Sequence, residues 1–379
     1  MLDLRDDVLE DHPVFDGHND LPWRIREDYG SDPVAAGLAA GQPSLHTDVP
    51  RLRAGGVGAQ FWSVFVPSHW DHPTAVTATF EQIDLVRRLV LAHPDVFRWT
   101  PTAADVRAAV ADGLIASLPG AEGGQSIAGS LGVLRELRRA GLAYMTLTHN
   151  DNTPWAASAT GEPVDHGLTG FGREVVAEMN RTGVLVDLSH VHERTMHDAL
   201  DVTTRPVVFS HSSARGVTDH PRNVPDAVLE RLRVNGGVLM VTFVPAFVNQ
   251  ACADHRAATA AEQARLGLTG APYDPEGDAG ALAPYRAWLD ANPRPVATVD
   301  DVVAHLEHAR EVVGVEHLGL GGDFDGVDEL PVGLGDVSCY PVLLRALADR
   351  GWSAADLRGL TSGNVLRVLE AAQDGTSVD

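Results

Sequence analysis

The chain has 379 residues, of which 44% are hydrophobic, and a formal net charge of −23 at pH 7. This length suits one large α/β domain, and the negative charge, with no basic cluster, argues against nucleic acid as a partner. No apolar run approaches the ~18 residues of a membrane span, and the N-terminus lacks the pattern of a secretion leader. We therefore expect a cytoplasmic protein with no membrane partner.

Two further features of the composition exclude kinds of chemistry. Cys252 and Cys339 are the only cysteines, and they form no CxxC motif. Neither a disulfide framework nor a thiolate zinc site is indicated. The sequence contains no lysine, which excludes a Schiff-base lysine, a P-loop lysine and a carboxylated lysine that bridges two metals.

Eight apolar segments along the chain are predicted to be strands that alternate with helices. The predicted strands are 14–20, 58–66, 114–118, 144–148, 184–188, 207–210, 237–244 and 317–322. The predicted helices are 81–93, 102–111, 131–140, 171–182, 226–234, 299–313, 341–350 and 356–370, with a short one before Gly55. Residues 21–45 are predicted to form a loop. The alternation predicts an α/β fold, a single (β/α)8 TIM-type barrel domain over residues 1–379, with a lid-like insertion at about 250–299.

Side chains that can bind metal follow six of the eight predicted strands. They are His18 and Asp20, Glu122, His149, His190, His211 and Asp323. In a closed barrel the carboxyl ends of the strands converge on one mouth, so we expect these side chains to lie together. His18 and Asp20 are two residues apart on a strand, which places them on the same face.

Several nearby residues have a simpler interpretation. Glu122 is predicted to lie in a Gly-rich loop and would by default be a solvated carboxylate. Asp325 is an alternative to Asp323 for any role assigned to that strand end. His46 and Asp48 resemble the pair at 18 and 20, but Asp48 is interpreted as the start of a helix. By default His220 is assigned to the surface, Arg222 to a surface turn, and Trp23, Trp62 and Trp155 to packing.

Three imidazoles and two carboxylates in the set exceed the requirement of one zinc ion with an open position. The set suits two metals that share Glu122, because no lysine is present to bridge them. Two metals ~3.5–4 Å apart can hold a bridging hydroxide, since they lower the pKa of water toward ~7. The residues themselves therefore predict a hydrolase.

The motifs together closely resemble the membrane (renal) dipeptidase family, a zinc peptidase branch of the amidohydrolase-type barrels. The matching segments are 15–23, 58–66, 122–124, 147–150, 152–155, 183–190, 209–213, 222–225 and 321–326, in the order of the family. They span nearly the whole chain, so the match is specific.

The resemblance implies a dipeptidase with two Zn²⁺ per chain and a free dipeptide as substrate, often with a D-residue at the C-terminal position. The implied ligands are His18 and Asp20 for one zinc, His190 and His211 for the other, and Glu122 as the bridge. His149 would stabilise the oxyanion, Arg222 would bind the C-terminal carboxylate of the dipeptide, and Asp323 would carry the proton from the bridging water to the leaving amine.

Two other kinds of function are compatible with these residues. One is another binuclear metal hydrolase on the same barrel, such as a lactonase, a deaminase or a β-lactam-opening enzyme. Arg222 distinguishes these enzymes from a dipeptidase, because neutral substrates do not need an arginine in the site. The other is a non-catalytic metal- or ligand-binding barrel, which would be expected to lack a ligand or a proton carrier. The sequence is also compatible with a homodimer.

Overall fold

The computed structural model describes residues 2–268 and 282–377, and their strands form one parallel sheet. The strands are β1 Val14–Asn19, β2 Val57–Phe65, β3 Phe97–Trp99, β4 Ile115–Glu122, β5 Tyr144–Thr146, β6 Leu185–Asp187, β7 Val208–Ser212, β8 Val238–Val241 and β9 Leu318–Leu320. Eight of them, all except β3, form a closed ring, because β2 pairs with β1 on one side and with β4 on the other. The prediction of a (β/α)8 barrel is confirmed.

The third strand, β3, lies outside the ring and was not predicted from the sequence. It pairs with the first half of β4, where Phe97 lies opposite Ile115, while β5 pairs with the second half. A strand of three residues is too short to show a clear alternation of apolar and polar side chains.

Fifteen α-helices in the described residues surround and cap the barrel. They are α1 Leu21–Asp28, α2 Val49–Ala54, α3 His72–Ala92, α4 Ala103–Ala111, α5 Leu131–Arg139, α6 Gly170–Thr182, α7 Glu193–Val202, α8 Asp226–Asn235, α9 Pro245–Val248, α10 Gln250–Arg265, α11 Ala283–Ala291, α12 Val299–Val313, α13 Tyr340–Asp349, α14 Ala354–Arg358 and α15 Asn364–Gln373. Short 3₁₀ or π-helical turns occupy Arg5–Leu9, Gly124–Ile127, Val315–His317, Val337–Cys339 and Gly359–Gly363. Gly183 and Gly236 end α6 and α8 in the left-handed conformation that favours glycine.

The prediction of a loop over 21–45 is wrong for its first part, where α1 forms. Pro22 lies in the first turn, where a missing N–H costs no hydrogen bond, and Leu21 and Ile25 are buried on one face. Helix α7 was also not predicted, and α3 begins at His72, nine residues before the predicted start. The loop-like composition concealed helices whose stability comes from packing on the barrel.

Strand β4 is longer than predicted, and this changes the position of Glu122. The strand continues through Pro119 and Gly120, so Glu122 is its last residue and not part of a loop. Gly120 leaves room for the ring of Tyr144, because a Cβ there would lie 2.2 Å from the Tyr144 Cζ atom. Rigid strand backbone therefore holds the Glu122 carboxylate.

Glycines inside the barrel bring three strand ends together. A Cβ at Gly17 would lie 2.3 Å from the carbonyl oxygen of Ser210, and a Cβ at Gly321 would lie 2.0 Å from the same atom. Only glycine allows backbones to approach so closely. Because of this approach, the ends of β1, β7 and β9 converge on one point.

The predicted insertion at about 250–299 contains α10 and α11, and its residues 269–281 lie outside the described residues. Cys252 and Tyr285 are buried, so both helices pack against their surroundings. Within the two described ranges, no helix is both long and apolar enough to cross a membrane. The lid role, the single domain over 1–379, the cytoplasmic location and the homodimer stay predictions.

Candidate metal centre and substrate cavity

The five predicted metal ligands converge at the carboxyl end of the barrel. The Oε1 atom of Glu122 lies 3.1 Å from Nε2 of His190 and 3.5 Å from Nε2 of both His18 and His211. Nε2 of His18 lies 3.2 Å from Oδ2 of Asp20. All five side chains are buried. Residues separated by as much as 193 positions in the chain therefore form one cluster around the Glu122 carboxylate.

Three residues at the mouth of the barrel have positive φ angles that are unusual for non-glycine residues. They are His190 at 65°, Asp323 at 61° and Asp325 at 64°. Such conformations cost on the order of 1–3 kcal/mol each and persist only where the surrounding structure imposes them. His190 and Asp323, which follow β6 and β9, have side chains in the cluster, whereas the side chain of Asp325 contacts His46.

Hydrogen bonds behind the cluster fix the orientation of two imidazoles. Nδ1 of His18 lies 2.9 Å from the Tyr144 hydroxyl, and Nδ1 of His211 lies 2.8 Å from Oγ of Ser210. The Ser210 hydroxyl in turn donates to Asp187 at 2.7 Å. Ser210 therefore accepts the Nδ1 proton of His211, and Nε2 is left with its lone pair toward the cluster. This is the usual arrangement behind a histidine that binds a metal.

The electrostatics of the cluster fit a bound cation. Burial lowers the pKa of His190 and His211 well below the usual value, so both rings are neutral. Burial opposes the charge of Glu122, but the histidines around it, led by His18 and His149, hold its pKa well below the usual range. Neutral imidazoles beside an ionised carboxylate are the protonation states that metal binding requires.

His18 provides the sharpest test of whether a metal fits. Its Nε2 atom is buried and has no hydrogen-bond partner among the described residues. Burial opposes a charge on this ring, yet Tyr144 and the carboxylates of Glu122 and Asp20 together raise its pKa well above the usual value. The carboxylates thus favour positive charge at this point, which a metal ion would supply without protonating His18.

Three overlapping groups of side chains are compact enough to hold a metal ion, with ligand atoms within 4.8 Å of one another. They are His18, Glu122 and His211; Glu122, His149 and His190; and His18, Asp20 and Asp323. Glu122 belongs to two of them and His18 to two. A donor set of imidazole and carboxylate suits zinc and other divalent first-row metals.

A cavity of about 650 Å³ opens above this cluster. His149 lines it, with Nε2 3.9 Å from Oε1 of Glu122 and its ring against those of Phe65 and His190. Asp323 lines the cavity on another side, with Oδ1 4.0 Å from Nε2 of His18. Burial, together with nearby carboxylates, raises the pKa of Asp323 to about 7.

Arg222 lies in the wall of the same cavity and is only 3% exposed. Its guanidinium lies over the Phe247 ring at 5.2 Å and donates long hydrogen bonds of 3.4 Å to Ser212 Oγ and to the carbonyl oxygen of His211. In the described chain no carboxylate forms an ion pair with it. Burial lowers its pKa to about 10, although the more distant carboxylates of Asp323 and Glu122 act in the opposite direction. Arg222 therefore stays protonated at neutral pH as a buried cation that forms no ion pair with any described residue.

Three residues that the sequence analysis assigned elsewhere also line the cavity. His220 packs on Phe247 and is half-buried, and Trp23 packs edge-on against Phe65. Asp48 does cap α2, as predicted, but its neighbour His46 lines the cavity. No local pattern distinguishes these three residues from surface or packing residues.

His46 is joined to the end of β9 by two reciprocal hydrogen bonds. The backbone N–H of His46 donates to Asp325 Oδ1 at 2.7 Å, and the backbone N–H of Asp325 donates to His46 Nδ1 at 3.0 Å. Asp325 therefore supports the loop, while Asp323 is the residue close to the metal cluster.

Comparison with known proteins agrees with this arrangement. A family model described as "Membrane dipeptidase (Peptidase family M19)" matches residues 3–378. A dipeptidase of Schizosaccharomyces pombe, described as uncharacterized, is 42% identical over 381 residues, which cover 97% of this chain and 82% of that protein.

Solved structures show the same architecture. A metallo peptidase from Rhodobacter sphaeroides, liganded with a phosphinate mimic of the dipeptide L-Ala-D-Ala, superposes with a TM-score of 0.77 at 26% identity and covers 95% of this chain and 99% of its own. The probable dipeptidase PvdM from Pseudomonas aeruginosa has a TM-score of 0.82 at 21% identity, with 96% of both chains covered, and supports the fold alone.

Proposed function

The chain belongs to the membrane dipeptidase family, peptidase family M19, and is a hydrolase of dipeptides; from this premise we propose that it works with two zinc ions. The proposed ligands are His18 and Asp20 for one ion, His190 and His211 for the other, and Glu122 for both. The contacts of 3.1–3.5 Å around Glu122 and the neutral state of His190 and His211 support this assignment.

The observation that carries the proposed substrate is the buried, unpaired guanidinium of Arg222. A free dipeptide ends in a carboxylate, and the planar fork of arginine binds carboxylates with two hydrogen bonds. A buried cation without a counterion is costly unless a ligand supplies the negative charge. We therefore assign Arg222 to the C-terminal carboxylate, which would also exclude longer peptides.

Two zinc ions, when bound, supply an activated water at neutral pH and polarise the scissile carbonyl. His149, at the cavity wall beside Glu122, is placed to donate a hydrogen bond to the carbonyl oxygen as it gains negative charge. Asp323, with a pKa near neutrality, is placed to accept a proton from the attacking water and to deliver it to the leaving amine.

Substrates of the form L-Xaa-D-Xaa belong to the proposal as well. The Rhodobacter sphaeroides relative is solved with a phosphinate mimic of L-Ala-D-Ala, and in this chain Arg222 lines the cavity at the end of the barrel. A side-by-side assay of L-L and L-D dipeptides tests the point.

The experiment that tests the proposed function combines metal analysis with a substrate series. Purified enzyme should contain about two zinc ions per chain, lose activity with a chelator, and hydrolyse dipeptides but not their C-terminal amides or tripeptides. Full activity with one metal or none would exclude the two-metal proposal. Equal rates on dipeptides and tripeptides would exclude the role of Arg222.

A further inference from the structure

A second arginine, Arg256, faces the same cavity and has no role in the proposed reaction. It lies on α10, within the insertion, and its side chain is exposed at the cavity wall. Arg222 and His220 line the cavity on the same side, together with Phe247. The insertion thus contributes a positive charge close to the proposed carboxylate site.

Other arginines near the mouth are paired with carboxylates, in contrast to Arg256. Arg24 lies 2.9 Å from Asp28, and Arg294 pairs with Glu329. Arg265, on the same helix as Arg256, pairs with Glu262 at 2.6 Å. For Arg256 the described residues offer no carboxylate within 4.0 Å. A cation at a cavity wall without a counterion is available to an anionic group of the ligand.

The charge of Arg256 reaches the interior of the site. The pKa of His220 is lowered to about 4, first by burial and then by Arg222 and Arg256. Arg256 also acts against the charge of Arg222, whose pKa burial lowers most. His220 is therefore neutral, and this side of the cavity holds two cations, of which Arg222 lies over the Phe247 ring.

We propose that Arg256 selects dipeptides whose C-terminal residue has an acidic side chain, aspartate or glutamate. The inference rests on the proposed function, in which Arg222 binds the main-chain carboxylate of that residue. The side chain of the same residue then lies on the Arg222 side of the cavity. The cavity of about 650 Å³ lies within the range of sites that hold molecules larger than a small dipeptide, and it leaves room for such a side chain.

Asp328 is the acidic residue that lines this part of the rim and could oppose the effect. It is exposed and lies beyond ion-pair distance from Arg256. Both side chains are exposed, so solvent and salt weaken their interaction. Replacing it by asparagine should therefore strengthen the preference for an acidic side chain slightly and should not create it.

The test compares isosteric substrates that differ only in charge. The kcat/KM of Ala-Asp and Ala-Asn, and of Ala-Glu and Ala-Gln, is measured for the wild type and for Arg256→Gln, with both L- and D-residues at the C-terminal position. We expect the wild type to prefer the acid by roughly two- to five-fold, because Arg256 is exposed and an exposed charge pair contributes little to binding. In Arg256→Gln the ratio should fall to about one, and Arg256→Glu should favour Ala-Lys over Ala-Gln.

A matched control is Arg265→Gln, which removes an arginine from the same helix away from the cavity and should keep the wild-type ratio. The wild-type preference should also weaken as salt rises. Suppose that the wild type hydrolyses Ala-Asn but Arg256→Gln has the same ratio of kcat/KM for Ala-Asp over Ala-Asn. The proposed role of Arg256 in selectivity is then wrong, while the dipeptidase proposal survives. If neither Ala-Asn nor Ala-Ala is hydrolysed by the zinc-loaded enzyme, both proposals fail.

Discussion

Replacing Arg222 by methionine should weaken catalysis and at the same time stabilise the fold. Methionine keeps much of the length of the side chain and its packing on Phe247 but removes the buried charge. Truncating one partner of a buried charge pair costs roughly 2–5 kcal/mol. At ~1.4 kcal/mol per decade, kcat/KM for dipeptides should therefore fall by about one and a half to three and a half decades.

The gain in stability follows from the pKa of Arg222. Burial lowers this pKa to about 10, against a usual value of ~12.5, and at ~1.4 kcal/mol per pKa unit the charged group costs about 3 kcal/mol. Because the folded-state pKa is depressed, the full cost is present below pH 10, including neutral pH, and is relieved only above it. The long hydrogen bonds to Ser212 and His211 offset part of this cost. The variant should therefore unfold with a free energy up to about 3 kcal/mol larger than the wild type.

The assay compares the wild type and Arg222→Met on a dipeptide and on its C-terminal amide, with denaturant unfolding of both proteins. The substitution should lower kcat/KM strongly for the free acid and only slightly for the amide, because the amide has no carboxylate for Arg222 to bind. If acid and amide lose equally, Arg222 is a structural residue and the assignment of the carboxylate site is wrong. A variant less stable than the wild type would show that the guanidinium contributes packing that outweighs its desolvation.

Four further substitutions test the other roles. Glu122→Gln should lower the zinc content below two per chain, as measured by metal analysis, because a neutral amide bridges two metals poorly and all three histidines converge on Oε1; normal metal content would remove Glu122 as a bridge. His149→Ala should lower kcat by roughly 10²–10³ with little change in KM, and a raised KM at constant kcat would make it a binding residue instead. Asp323→Asn should nearly abolish turnover while both metals stay bound. Asp325→Asn should mainly lower thermal stability, because Asp325 accepts a hydrogen bond from the backbone of His46. The reverse result would exchange the two assignments.

The sequence alone was sufficient for the fold class and for the prediction that five side chains, proposed as metal ligands, lie together. The alternation of apolar strands and helices predicted the barrel, and a barrel places the carboxyl ends of its strands at one mouth whatever the details of its loops. His18, Asp20, Glu122, His190 and His211 could therefore be grouped from their positions at strand ends. In the structure three of the histidine and carboxylate contacts, of 3.1–3.5 Å, are made to Glu122, and Asp20 lies 3.2 Å from His18.

Features that depend on packing between distant segments could not be predicted. The strand bearing Glu122 was expected to end at 118, because Pro119 and Gly120 normally break strands, but the ring of Tyr144 fills the space above Gly120. Helix α1 was missed for a related reason, since its stability comes from burying Leu21 and Ile25 and not from local propensity.

The roles of individual charged side chains were also decided by tertiary structure. In the sequence Arg222 looks like an arginine on a surface turn, and Arg256 is one of two arginines in the segment that forms α10. Whether an arginine has a counterion depends on which carboxylates the fold brings within a few ångströms. Some of them lie within one helical turn, as Asp28 does for Arg24, and others are distant in the chain, as Glu329 is for Arg294. Local sequence determined which residues end the strands of the barrel, because strand and helix patterns repeat over a few residues. The burial of a side chain and its charge partners were decided only by the folded chain. Both depend on all the residues around that side chain, and the fold brings those residues together.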